Sequence, residues 1–365
     1  MQISVHNPVQ QTILFGIIFL VVFMFTFRKK RDHVPSSFTQ ELKGFAILTI
    51  IFGHIGYFLS SNQQFLFPFS IMMGVGVNLF LFLSGYGITS SQITKDESKI
   101  QFYKRRLLKL FVPFWTILAI LISSSYLFLG KTYSFGFLVQ SFLGIFTDAN
   151  IFTGINSPFW YFTFIVFCYL IFPLVFNKKR PWVSAILLYG ITLLIVKINP
   201  LALSGVIGLY KVHLLAFPLG ILTAWFIQTK DYSLEHFTQT YKKYSSYLYP
   251  TIISILFLCI GYFSIHSGVG QSITSEESRS LLVVGALLVL FLIKKRESKL
   301  LSLFGLYSYE IYLFHWPLLY YYDFLYKYMP AWIATIIYLI IFVLLGILFQ
   351  KISVKIGMSK HSLTQ

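Results

Sequence analysis

Long apolar stretches separated by charged residues take up most of this chain, and they restrict its fold more than any other feature. A helix needs about 20 apolar residues to cross the hydrocarbon core of a bilayer. Only 11% of the 365 residues are charged and the mean hydropathy is +0.74, whereas roughly 25% of the residues of a soluble domain are charged. We therefore predict an all-α, multi-pass membrane protein. Its transmembrane segments, about eleven in number, are placed at roughly 11–27, 42–60, 72–93, 107–129, 159–176, 181–198, 212–228, 247–264, 280–293, 301–323 and 331–350.

The distribution of Lys and Arg predicts the orientation of these segments, because both residues gather on the cytoplasmic side of a membrane. With the N-terminus outside, the inward connections and their flanks contain 24 of the 29 basic residues. The five exceptions are Lys131, Lys197, Lys211, Arg279 and Lys327. We therefore expect the N-terminus outside and the C-terminus in the cytoplasm. This topology and anionic lipid account for the net charge of +17, so we expect no nucleic-acid partner.

The second apolar stretch, ELKGFAILTIIFGHIGYFL, contains two ionisable side chains on one helical face. His54 follows Lys43 by eleven residues, which is about 16 Å along a helix and three turns plus roughly 20° around it. Ionisable groups in mid-membrane normally face the protein interior or a wet cavity and mark a pathway or a reaction site. We interpret His54 as a functional residue. A neutral histidine that bonds a neighbouring helix is the structural alternative.

A buried carboxylate lies in the stretch SYEIYLFHWPLL. Glu310 is the acidic residue that sits well inside an apolar segment, and it needs a partner because an unpaired buried charge is very costly. We expect a cation such as Lys43, or a hydroxyl or histidine of another helix. Tethering two helices and catalysis are equally plausible roles for Glu310. His315 points about 140° away from it around the helix, and packing at the outer interface is an alternative to a functional role for His315.

Four basic residues cluster just before an apolar segment in the stretch FYKRRLLKLFVPFW. They are Lys104, Arg105, Arg106 and Lys109. A basic segment next to a membrane can simply anchor lipid phosphates. The functional alternative is a docking site for a phosphorylated cytosolic ligand, because Arg grips phosphate with two parallel hydrogen bonds.

Small residues interrupt the segment that contains NLFLFLSGYGITSS. Ser84, Gly85 and Gly87 lie within one turn of each other, and small side chains let two helices approach closely. Packing is therefore the favoured interpretation of this motif when it is considered alone.

Five motifs in order resemble acyltransferase family 3, a family of integral membrane proteins that O-acylate surface polysaccharides and other extracytoplasmic glycans. These are LKGFAILTIIFGH, NLFLFLSGYGITS, FYKRRLLKLFVPFW, SPFWYFTFIVFCYLIFPL and YSYEIYLFHWPLL. The resemblance covers about residues 38–350. It implies a ten-helix acyltransferase domain over 38–350, preceded at 1–37 by an extra transmembrane helix with a basic linker and followed at 351–365 by a basic cytoplasmic tail.

Two positions depart from the family pattern. In the family, the first core helix has an arginine, ten intervening residues and a histidine, and here the same spacing joins Lys43 to His54. The family's two arginines separated by two residues correspond to Arg106 and Lys109. Both departures keep the charge but lose the planar guanidinium fork, so a donor affinity or acyl preference cannot be transferred directly from the family.

The resemblance implies roles for the candidate residues. An acyl group, most simply acetyl, would pass from cytosolic acyl-CoA to a sugar hydroxyl, with His54 as general base or acyl carrier. Lys43 would stabilise the thioester oxyanion or hold donor phosphate, and Glu310 would orient or balance a basic partner. The expected CoA phosphate ligands are Lys104, Arg105, Arg106 and Lys109. The expected substrate-binding residues are Ser84, Tyr86, Trp160 and His315. We expect no metal.

The resemblance also implies a location and partners. The expected location is the plasma membrane of a bacterial cell, and the expected partners are the lipid bilayer, a carbohydrate acceptor and cell-envelope polysaccharide assembly machinery. Two other hypotheses stay open. A transporter or flippase for a lipid-linked sugar or small solute would also place a histidine and a carboxylate in mid-membrane. An inactive relative could serve as an assembly scaffold.

Overall fold

The described part of the chain is helical apart from two short strands. The computed structural model describes residues 2–29, 35–95, 97–150, 154–229, 234–267 and 273–355. Its elements are α1 (Pro8–Phe25), β1 (Phe27–Lys29), α2 (Pro35–Gly53), α3 (Met73–Thr94), α4 (Lys99–Leu129), α5 (Phe135–Phe142), α6 (Phe159–Val175), α7 (Pro181–Ile198), α8 (Ile207–Lys211), α9 (Ala216–Thr229), α10 (Leu234–His266), α11 (Ile273–Ile293), β2 (Arg296–Ser298), α12 (Lys299–Leu306), α13 (Ser308–Tyr320) and α14 (Ala331–Lys355). Some of the basic residues predicted on the inward side, Lys30, Arg31, Lys230 and the tail from residue 356, lie outside the described residues.

Membrane-spanning helices occur where the hydropathy pattern predicts them. Within the described ranges, eight helical stretches are long and apolar enough to cross a membrane, and each coincides with one of the eleven predicted segments. The fifth predicted segment forms α6, a helix of 17 residues, and the ninth lies within α11. The prediction of a helical, multi-pass membrane protein is confirmed. The count of eleven, the outside N-terminus and the domain boundaries stay predictions.

The prediction of one helix over 301–323 is wrong, because the chain breaks at Tyr307 into α12 and α13. α12 packs along α2, and α13 contacts α14, α2 and α4. The break brings one face of α13, including Glu310, to the cavity that contains the candidate site.

Glycines set the closest helix contacts. A Cβ at Gly44 of α2 would overlap the carbonyl oxygen of Leu301, and a Cβ at Gly305 would overlap that of Gln40, so α2 and α12 pack backbone to backbone. The α3 and α9 pair is similar, because Gly85 lies against the carbonyl oxygen of Phe217. The packing interpretation of Gly85 is therefore confirmed. Gly87 has no such neighbour and lines the cavity instead.

The end of α2 changes its winding at the candidate histidine. Residues His54–Leu59 form a π-helix, closed by a hydrogen bond of 2.9 Å from the Ser60 amide to the Ile55 carbonyl oxygen. Single π-helical turns occur frequently at functional sites, because the extra residue per turn redirects side chains. His54 is the first residue of this turn and is buried.

The first helix packs on the outside of the bundle. Few residues of α1 are buried, and its main aromatic contacts join Phe15 and Phe19 to Phe52 and Phe69. The strand that follows, β1, pairs antiparallel with β2. α1 is therefore peripheral to the cavity, as expected of an addition to a core domain.

We predict opposite effects on stability for two Gly→Ala substitutions. A Cβ at Gly220 of α9 would crowd the backbone of Phe82 and Tyr86, whereas Gly285 of α11 has open space around it. Gly285→Ala gains helix propensity, about 1 kcal/mol, and is expected to raise the thermal unfolding midpoint in detergent. Gly220→Ala gains the same propensity but adds overpacking, which costs typically about 1–3 kcal/mol, and is expected to lower the midpoint. A Gly220→Ala midpoint at or above that of Gly285→Ala contradicts the close packing of α3 and α9.

Candidate active site

A cavity of about 1860 Å³ penetrates the helix bundle. Its walls come mainly from α2, α3, α4, α6 and α13. Pockets for one small ligand usually measure about 300–1000 Å³, so this cavity has room for two substrates together. It brings together most of the side chains selected from the sequence, namely Lys43, His54, Ser84, Tyr86, Lys104, Arg105, Arg106, Lys109, Trp160 and Glu310.

The basic motif of α4 forms one end of the cavity, which we call the basic end (Lys43, Lys104, Arg105, Arg106 and Lys109). A capping box starts the helix, since the Ser98 side chain accepts from the Gln101 amide and the Gln101 side chain accepts from the Ser98 amide. Lys104, Arg105, Arg106 and Lys109 follow on α4, and Lys43 faces them from α2.

The two arginines of the basic end differ in their partners. Arg105 forms an ion pair with Glu97 and donates to the Ser91 hydroxyl at 3.2 Å. The buried Nε of each arginine has no hydrogen-bond partner, but Arg106 also has no ion pair in the described part of the structure. An unpaired buried donor is costly, so Arg106, which has no carboxylate partner, is the better candidate for an anionic ligand. Arg105 is largely committed to Glu97.

Positive charge is in excess around Lys43. Its ammonium group is repelled by Lys109 and Arg106, and Glu310 is the carboxylate that attracts Lys109. We expected a cation such as Lys43, or a hydroxyl or histidine of another helix, beside Glu310, and the structure places a cation there, Lys109 of α4 rather than Lys43. Two carboxylates, Glu310 and Glu97, do not neutralise the five cations of the basic end, so this end of the cavity suits an anion.

His54 has one nitrogen held by the backbone and one available. Its Nδ1 lies 2.9 Å from the Ile50 carbonyl oxygen, which can only accept, so the proton of a neutral ring is assigned to Nδ1. Nε2 is then the unprotonated nitrogen, and it has no hydrogen bond to any residue in the described ranges. Because His54 lines the cavity, Nε2 is available to take a proton from a bound molecule.

His315 contacts His54 and does not line the cavity. It is fully buried, and its Nδ1 donates to the carbonyl oxygens of Ile311 at 3.1 Å and Tyr312 at 3.0 Å. Its Nε2 therefore accepts from His54 Nδ1 at 3.3 Å. The expected substrate contact of His315 is not observed, because its ring lies behind His54. His315 is therefore a positioning residue, because it helps to hold the proton of His54 on Nδ1.

A second buried histidine lines the cavity and was missed in the sequence. His213 lies near the start of an apolar segment, and its Nδ1 is 2.7 Å from Oδ1 of Asn78. The Asn78 amide donates in turn to the Ser280 hydroxyl at 2.8 Å. The three residues are far apart in sequence and have no common motif. The sequence feature that could have indicated this buried polar group is Asn78, a strongly polar side chain within the apolar stretch GVGVNLFLF.

Other predicted residues occupy the walls between these groups. Ser84 and Tyr86 lie on α3, and both are half-buried. The ring of Trp160, on α6, stacks on the imidazole of His213, with 5.6 Å between ring centroids and 15° between the planes. In the described part of the chain, no group of three or more His, Cys, Asp or Glu side chains could hold a metal ion.

Comparison with known families agrees with this geometry. The cavity joins an excess of cations to an accessible imidazole inside a helical membrane bundle, an arrangement suited to transfer of a group from an anionic donor. The model of the acyltransferase domain of acyltransferase family 3 matches residues 42–351. The chain belongs to this family, so it is a membrane acyltransferase that moves acyl groups other than aminoacyl groups. This class favours an enzyme over the transporter hypothesis. No curated protein and no solved structure shows a significant match.

We predict the same tautomer for His54 and His315. With ¹⁵N-labelled histidine in nanodiscs at neutral pH, both rings are expected to show a protonated Nδ1 and an unprotonated Nε2, because both Nδ1 atoms lie against carbonyl oxygens. Spectra of His54→Gln and His315→Gln assign the signals. A protonated Nε2 on His54 contradicts its assignment as a base that faces the cavity.

Proposed function

We propose that the protein is an O-acyltransferase that moves an acyl group from cytosolic acyl-CoA to a hydroxyl of an extracytoplasmic or lipid-linked glycan. Acetyl is the simplest acyl group. The main support is that one cavity joins unpaired cations at its basic end to the available Nε2 of His54. A donor with anionic phosphates at one end and a reactive thioester at the other suits such a cavity.

The proposed donor site is the basic end. Arg106, Lys109 and Lys104 bind the phosphates of CoA, and Glu310 limits the local excess of positive charge beside Lys109. Lys43 lies three helical turns from His54, about 16 Å along α2, so its side chain does not reach a reaction centred on His54. We therefore assign Lys43 to the phosphates rather than to the oxyanion. The pantetheine arm of CoA bridges the remaining distance to His54.

The proposed chemistry is centred on His54. Nε2 accepts the proton of the acceptor hydroxyl, whose oxygen attacks the thioester carbonyl carbon. The tetrahedral intermediate collapses, the carbon–sulfur bond breaks, and the leaving thiolate of CoA takes the proton from His54. Throughout, His315 accepts from Nδ1 and stabilises the charged ring. In a two-step version, Nε2 attacks the thioester carbonyl carbon and CoA leaves as its thiolate, and the acceptor hydroxyl then attacks the acyl group on Nε2 and passes its proton to that thiolate. Both versions require the same tautomer.

The acceptor approaches from the opposite end to the donor in this scheme. Trp160 offers an aromatic face to a sugar, and Ser84 and Tyr86 line the passage between the two substrates. We further propose that the protein acts in the plasma membrane of a bacterial cell, together with the machinery that assembles cell-envelope polysaccharide. The predicted orientation, with basic residues facing the cytoplasm, places the basic end next to the cytosolic pool of CoA.

We predict that His54→Gln abolishes acyl transfer without loss of folding. Removal of a general base lowers the rate by about 10²–10⁴-fold, measured as acceptor-dependent release of CoA thiol from acetyl-CoA in nanodiscs. His266→Gln is the matched control, because His266 lies outside the cavity lining and its Nδ1 bonds only the backbone of its own helix. A His54→Gln rate within twofold of the control rules out His54 as base or carrier.

We predict that the arginine without an ion pair dominates CoA binding. Arg106→Gln is expected to weaken CoA binding by about tenfold to a hundredfold, the value of a charge-assisted hydrogen bond, as measured by calorimetry. Lys109→Arg is expected to bind at least as tightly as the natural protein, since it supplies a planar fork. The exposed Arg180 provides the control Arg180→Gln. Equal affinities of Arg106→Gln and Arg180→Gln argue against the donor site.

A further inference from the structure

His213 is a second cavity histidine that the transfer chemistry at His54 does not use. Asn78 is fully buried, and both ends of its amide are occupied, one by Ser280 and the other by His213. The amide nitrogen donates to Ser280, so Oδ1 is the acceptor that faces His213. This fixed amide holds the His213 proton on Nδ1 in a neutral ring.

The other nitrogen of His213 is left for a ligand. Among the described residues, Nε2 has no hydrogen-bond partner, and His213 lines the cavity although only 5% of its surface is exposed. The ring cannot turn freely, because it stacks on Trp160. Nε2 of His213 is therefore a hydrogen-bond acceptor in a fixed position, next to an aromatic face.

Packing of α3 on α2 places this pair between the two ends of the cavity. Asn78 follows Gly76 by two residues, and a Cβ at Gly76 would meet Ala46, Thr49 and Ile50, which lie between Lys43 and His54 on α2. Ser91, which bonds Arg105, lies thirteen residues beyond Asn78 on the same helix, or about 20 Å. His213 therefore lies between the arginines of the basic end and His54, in a cavity that Glu276 also lines.

We propose that His213 and Trp160 form a subsite for the sugar acceptor, in which Nε2 of His213 accepts a hydrogen bond from a hydroxyl other than the one acylated. This inference rests on the proposed function and specifies its acceptor side. A neutral acceptor atom beside a flat aromatic ring suits a sugar, which presents hydroxyl donors at its edge and an apolar face. The subsite fixes which hydroxyl reaches His54.

The test uses purified full-length protein in nanodiscs, acetyl-CoA, and methyl hexopyranosides with their monodeoxy analogues as acceptor probes. The natural protein is expected to have a KM about threefold to tenfold higher for one deoxy analogue, the value of one neutral hydrogen bond. That analogue lacks the hydroxyl bound by His213. His213→Phe keeps the aromatic stack but has no acceptor, so it is expected to lose this discrimination.

Two controls separate recognition from folding. CoA affinity is expected to be unchanged in His213→Phe, because the donor phosphates bind at the basic end, whereas a variant that fails to fold loses CoA affinity together with the discrimination. Asn78→Leu is the alternative variant should His213→Phe not fold. It removes the amide oxygen that holds the proton of His213 on Nδ1, so it is expected to reduce the same discrimination.

The outcomes distinguish the inference from the function on which it rests. Sugar acylation with equal discrimination in the natural protein and in the folded variants overturns the His213 subsite and leaves the acyltransferase intact. CoA binding without acylation of any glycoside overturns the sugar acceptor and the subsite together. No binding of CoA overturns the proposed function itself.

Discussion

Unmatched positive charge inside an apolar bundle is the constraint on which the site depends. Lys43, Arg106 and Lys109 repel one another, and Glu310 and Glu97 oppose only part of that charge. Buried charges without partners are very costly, so these helices cannot close on each other as ordinary membrane helices do. They keep a large cavity open at this end, where water or an anionic ligand solvates the cations. The same charges that restrict the packing therefore make this end of the cavity suited to an anion.

The remaining helices must pack closely around that opening. Glycine backbones allow this where α2 meets α12, through Gly44 and Gly305, and where α3 meets α9, through Gly85 and Gly220. α2 and α3 are thus fixed on their outer sides while their inner sides line the cavity. The break at Tyr307 allows α12 to pack closely against α2 while α13 places Glu310 at the cavity, near α4.

The cavity offers two kinds of contact, cations and imidazole nitrogens. The basic end suits an anion, whereas two neutral imidazoles with available Nε2 atoms, His54 and His213, lie farther along. The two rings are held differently. A backbone carbonyl and His315 face Nδ1 of His54, and a side-chain amide faces Nδ1 of His213. The cavity therefore offers cationic contacts and hydrogen-bond acceptors as separate groups.

The sequence alone determined the membrane class, the positions of most helices, and the basic residues that meet at one end of the cavity. The length of an apolar segment and the charged residues that flank it can be read from a short stretch of sequence. The periodicity of one helix is enough to place Lys43 and His54 on the same face. Only the tertiary structure decided which side chains meet. Lys109 lies near Glu310, and His54 contacts His315. Asn78, His213 and Ser280 form one hydrogen-bonded group. These contacts join residues that are far apart in sequence. Uncharged polar groups leave no periodic pattern, so only the packing of the helices reveals which of them meet.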